Sequence, residues 1–248
     1  MRHVRNPALS WATGVVSALL VLAVAVSGEA EPAGGIPTTV RVRAVSRDAK
    51  VLSSGVGGAR ITIRDEATGA VLAEGFQEGG SGETDAIMVQ PRRRRAHVYD
   101  TPGAGKFEAT LALEQPTVVE ITAEGPLGYP QATRKVSKTL LLVPGEDVLG
   151  DGILLEIHGF IVELQAPPPA AQLVAGGQLE VQATVRMSCG CPTEPGGLWD
   201  ADGIRILARL TRGSETLAEA PLSHTGEPST YSGELPLTTP GPVDLLVL

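Results

Sequence analysis

A chain of 248 residues with 42% hydrophobic and 19% charged side chains has the composition of a globular protein long enough for one large or two modest domains. Its 30 glycines and 19 prolines imply many turns and exclude a helical bundle, and a formal net charge of −8 argues against general affinity for nucleic acid or anionic lipid. With aromatics at 3%, cores have to be built from Val, Leu, Ile and Ala, and stacking platforms for bases or sugars are hard to assemble.

Residues 1–30 read as a signal peptide. Arg2 and Arg5 form a positive start, an apolar run follows from Val15 to Val26, and small residues offer cleavage points after Ala25, Ser27 or Ala30. The run is shorter than the ~18 residues a membrane-spanning helix needs, so no stable span is expected after signal removal. The mature chain is expected to begin between Val26 and Glu31 in the periplasm or outside the cell, where a cysteine pair meets oxidising conditions.

After a Pro/Gly leader, Thr39 to Val45 alternates apolar with polar residues at period two, the pattern of a half-buried strand. The alternation returns in Ala59 to Arg64, and Asp65 to Gly69 turns the chain onto Ala70 to Ala73. The stretch Val56-Gly57-Gly58-Ala59-Arg60-Ile61-Thr62-Ile63, followed by Ala67-Thr68-Gly69-Ala70-Val71-Leu72-Ala73, resembles the opening of carboxypeptidase regulatory-like and other bacterial immunoglobulin-like β-sandwiches. The resemblance implies a sandwich that serves as a structural or binding unit, and it carries no catalytic residue.

Further strands are predicted at Asp85 to Val89, Lys106 to Leu113, Thr117 to Ala123 and Val136 to Val143. The four arginines Arg92 to Arg95 read as a solvated loop, since no aromatics are interleaved. Gly103-Ala104-Gly105-Lys106 is not a phosphate loop, because Asp100 stands where its first glycine belongs and Phe107 follows the lysine. Pro144 to Gly152 reads as the end of the first domain, residues 37–158. The second, residues 159–248, is predicted to start with the strand Phe160 to Leu164, with Pro167-Pro168-Pro169 as a turn inside it; the alternative is a triproline linker between the domains.

In the second domain Gln178 to Met187 alternates without a break, and Ile204 to Leu210, Thr216 to Ala220, Tyr231 to Leu237 and Val243 to Leu248 continue the pattern, with a short candidate at Gln172 to Val174. This half too resembles a bacterial immunoglobulin-like sandwich. The expected fold is all-β, two tandem antiparallel immunoglobulin-like β-sandwiches. Val243, Leu245 and Val247 mark a terminal strand predicted to pair with a protein partner or a second copy.

Both cysteines lie in Met187-Ser188-Cys189-Gly190-Cys191-Pro192. Two thiolates from Cys189 and Cys191, with the thioether of Met187, are soft donors that suit Cu(I). The competing readings are a disulfide and two structural thiols. A zinc site would need further ligands, for which His158 and His224 are the candidates. Trp199 is read either as a partner-facing aromatic or as a plug at one end of the sandwich. Asp200-Ala201-Asp202-Gly203 opens like a calcium loop but lacks its later acidic ligands, so a turn is expected. No nucleophile, zinc-protease or dinucleotide motif is present. The expectation is a non-enzymatic exported binding or assembly module, with copper binding as the alternative.

Overall fold

The computed structural model describes residues 34–248, so the signal-peptide reading of residues 1–30 lies outside the described residues. The chain is all-β and fits the β-sandwich class. Among the described residues no helix is long and apolar enough to cross a membrane.

Seven strands build the first half: β1 (Ile36–Ser46), β2 (Ala59–Asp65), β3 (Val71–Gln77), β4 (Phe107–Leu113), β5 (Thr117–Gly125), β6 (Arg134–Leu142) and β7 (Val148–Ile157). They form a three-stranded sheet, β4-β1-β7, and a four-stranded sheet, β3-β2-β5-β6. Period-two alternation places Val40, Val42 and Ala44 of β1 opposite Ile61 and Ile63 of β2 and Val119, Ile121 and Ala123 of β5 in one buried core. Burying an aliphatic side chain of this size contributes about 1.5–3 kcal/mol.

Three details depart from the sequence reading. β1 and β7 pair in parallel, because alternation encodes which face is buried and not which way the neighbouring strand runs. β7 starts at Val148 and runs through Gly150 and Gly152, both at positive φ, and its register against β1 shifts between Val40 and Val42. The glycines there form an irregularity within a strand where they read as the end of a domain. Asp85–Val89 is a π-helical turn that buries Ile87; five mixed residues carry too little periodicity to separate turn from strand.

The second half holds β8 (Phe160–Ala166), β9 (Gln178–Met187), β10 (Ile206–Arg212), β11 (Glu215–His224), β12 (Thr230–Pro236) and β13 (Asp244–Val247). Their order is β13-β10-β11-β12-β9-β8, with every pairing antiparallel. Only Ser223 with Ser232 and His224 with Tyr231 join β11 to β12. That short ladder lets the sheet fold over, so that Val181 and Ala183 of β9, Ala208 and Leu210 of β10, and Tyr231 and Leu235 of β12 share a second core. The candidate strand at Gln172 to Val174 is irregular chain. Gly159 joins β7 to β8 at φ +113°, and Ile161 of β8 packs into the first core.

Candidate functional site

β9 delivers the chain to the cysteine loop, and the loop closes by local backbone bonds. Gly190 N–H donates to the Met187 oxygen at 2.7 Å, and Met187 N–H donates to the Cys191 oxygen at 3.0 Å. Gly190 sits at φ +84°, a conformation that glycine adopts without the cost a Cβ brings. The base of the loop is fixed by Thr193, whose hydroxyl donates to the Val185 oxygen at 2.8 Å and accepts from Tyr231 Oη at 2.9 Å.

Cys189 and Cys191 are joined as a disulfide. Both are buried with Met187 and Ala49 in a small cluster that Trp199 packs against. The loop therefore lies outside the two main cores yet carries an apolar core of its own. With the two sulfurs bonded to each other, the donor set read for Cu(I) exists only in the reduced chain. Among the described residues no group of three or more His, Cys, Asp or Glu side chains is gathered as a metal site. His158 stands between Arg47 and Glu156, and His224 packs edge-on against Tyr231.

Trp199 is half-buried and its Nε1 donates to the Asp48 oxygen at 3.1 Å, which ties the loop to the turn after β1. Asp200 accepts from Gly196 N–H at 2.9 Å and Asp202 N–H at 3.0 Å. These bonds, that from Gly196 foremost, hold its carboxyl below the ordinary aspartate value. The Asp-Ala-Asp-Gly stretch is thus a side-chain-capped turn with a single 3-10 turn at Ala201–Gly203.

Between this loop and the segments 50–56 and 81–84 lies a cavity of about 410 Å³. Its wall includes Lys50, Ser53, Val56, Thr84, Arg186 and Trp199, together with the two cysteines. Lys50 Nζ donates to Thr84 Oγ1 at 2.9 Å and to the Gly82 oxygen at 3.3 Å, and burial pushes its pKa down. Arg186 is stacked on Tyr129, with its Cζ 5.2 Å from the ring centre, and its Nη2 donates to Tyr129 Oη and Glu163 Oε2. Burial alone would lower the Arg186 pKa, but Tyr129 and Glu163 outweigh it and hold the guanidinium above its usual value. Lys50 and Arg186 escaped the sequence reading because they are 136 positions apart. Neither stands in a motif; the sole local sign is an arginine beside the loop, on the outer face of β9.

The other predicted residues lie at the far edge of the second sheet. Among the described residues β13 pairs with β10 on one side only. Val243, Leu245 and Val247 turn inward and pack against the second core, whereas Leu246 and Leu248 are exposed. Leu207 and Leu248 exchange both backbone bonds, at 2.8 and 2.9 Å. By the alternation of an antiparallel ladder, the N–H and C=O groups of Leu245 and Val247 point away from β10. What this edge offers is the backbone of Leu245 and Val247. Beside it opens a cavity of about 440 Å³ with a mixed wall that includes Leu164, Leu179, Leu237, Thr239, Asp244 and Leu245.

Comparison with protein-family models, with curated proteins and with solved structures finds no match for this chain.

Proposed function

We infer that the protein is an exported, non-enzymatic binding or assembly module of the cell envelope, built from two tandem sandwiches of immunoglobulin-like kind. The observation that carries this reading is the free edge of β13, where Leu245 and Val247 direct backbone donors and acceptors away from their own sheet. An extended segment of a partner protein, or of a second copy, adds there as a further strand. The cavity bordering Val243 and Leu245 supplies a pocket for a side chain of that segment. Export is supported by the apolar leader and by a closed cysteine pair, which is at home in an oxidising compartment.

Two substitutions test the edge. Leu245→Pro removes an outward N–H and leaves the β10 ladder intact, while Leu246→Lys places a charge on an exposed edge position. Partner capture or self-association is expected to fall in both, with the β-sheet circular dichroism retained. A strictly monomeric wild-type protein, whose amides at Leu245 and Val247 exchange freely and are unaffected by any partner from the envelope, removes the reading.

A further inference from the structure

We propose that the cavity between the cysteine loop and the first sandwich is a binding site for a small organic carboxylate. Its wall contains two cationic side chains, Lys50 and Arg186, and no Asp or Glu. Arg186 is paired with Glu163 behind the wall, but Lys50 has no acidic partner among the described residues, so in a chain with eight more acidic than basic residues this recess keeps a positive charge that favours an anionic guest.

Hydrogen-bonding capacity points the same way. Lys50 Nζ is held by two neutral oxygens and makes no ion pair among the described residues. Its charge is thus partly desolvated with only neutral acceptors beside it, and an anion in the recess adds the missing charge partner. Arg186 commits Nη2 to Glu163 and Tyr129. Its Nη1 makes no hydrogen bond among the described residues and is the donor left for a guest, whereas Nε is shielded from water. The hydroxyls of Ser53, Ser81 and Thr84 add further donors around the rim.

The remaining wall sets the kind of anion. Trp199 and Pro192 offer an apolar edge to a wall that is otherwise mainly polar, which favours a carboxylate carried on a small flat or aliphatic body over a bare inorganic ion. A volume of about 410 Å³ lies within the range of small-molecule pockets. Tyr129, stacked on Arg186, keeps that guanidinium in place before any ligand arrives.

The test titrates benzoate, with benzamide and inorganic phosphate as comparators, against the full chain carrying Trp11→Phe, so that fluorescence reports Trp199 alone. Benzoate is expected to saturate the Trp199 signal, benzamide and phosphate to leave it unchanged. Lys50→Gln and Arg186→Gln are each expected to weaken binding by about tenfold or more, the loss of one hydrogen bond to a charged group, and Lys50→Arg to restore most of it. Circular dichroism identifies any variant that fails to fold, and the Lys50→Arg rescue then decides. Equal binding of benzoate and benzamide, saturation by phosphate in place of benzoate, no saturable binding, or unchanged affinity in folded Lys50→Gln and Arg186→Gln each overturns the assignment.

Discussion

Trp199 Nε1 donates a hydrogen bond to the main-chain oxygen of Asp48 across 151 positions of sequence. The bond runs from the loop after β9 to the turn after β1, and the indole covers Ala49 and the cysteine pair beneath it. Trp199→Phe keeps an aromatic ring and loses the donor, so the expected cost is about 1 kcal/mol, that of one net hydrogen bond. Trp199→Ala also uncovers the small cluster and is expected to cost more. Urea unfolding of the two variants checks the order, and equal losses would mean that covering the cluster contributes nothing beyond the bond.

A second contact between the same segments is steric. A Cβ on Gly190 would stand 2.8 Å from Val56 Cγ1, and the residue already occupies φ +84°. Gly190→Ala is therefore expected to cost about 1–3 kcal/mol from backbone strain, with the clash added. Trimming Val56 to Ala relieves only the clash. The double variant should lose less than the sum of the two single ones, a coupling that a double-mutant cycle measures directly.

How far the sequence revealed this arrangement follows from what periodicity can encode. Gln178 to Met187 alternates strictly and is β9 residue for residue, because one of its faces is buried along the whole strand. The first half of β7 was hidden by Gly150 and Gly152, which read as a turn and instead let the strand carry an irregularity against β1. The inward turn of Val243, Leu245 and Val247 follows from the same period-two rule, yet the sequence does not say which side of the strand lacks a partner. The cavity under the cysteine loop was illegible for another reason. Trp199 was singled out by its place in the loop and Arg186 only by standing beside it, but tertiary packing alone brings them together with Lys50 and Thr84.

Acid should weaken the first half of the fold through its cation network. Arg43 is 1% exposed, and its guanidinium donates to the oxygens of Gly105, Gly150 and Asp151 and to Asp100 Oδ1. Burial alone would raise the Asp100 pKa, but Arg43, and then Arg41 and Lys106, reverse this and hold it below 3.8. Glu108 is held below 4.5, chiefly by its hydrogen bond from Arg41. A carboxyl whose folded pKa is depressed stabilises the fold above its unfolded value, and that contribution is lost as pH falls through the folded value. Stability is thus expected to be level above about pH 4.5 with respect to these groups and to decline below it. Asp100→Asn should be less stable than wild type at pH 7, and the gap should close as pH falls below 3.8. Denaturant titrations at several pH values test this; a gap that stays constant down to pH 2 would show that the Asp100 charge is not involved.

Cys189 and Cys191 supply both a covalent link and buried apolar surface. A disulfide that closes a ring of three residues removes little disorder from the unfolded chain, about 1.5 kcal/mol in the loop-entropy account. Cys189 and Cys191 are nonetheless 4% and 7% exposed and pack against Ala49 and Met187, so their side chains also act as small apolar groups. Replacing both by Ala removes the cross-link but keeps the site apolar. Replacing both by Ser removes it and places two hydroxyls in that cluster, where each one left without a partner costs about 1–3 kcal/mol. The Ser pair is therefore expected to be less stable than the Ala pair by at least about 1 kcal/mol, and both should keep the β-sheet circular dichroism, because neither main core includes the loop. Equal stability of the two variants would mean that the covalent link, and not burial, is what the pair supplies.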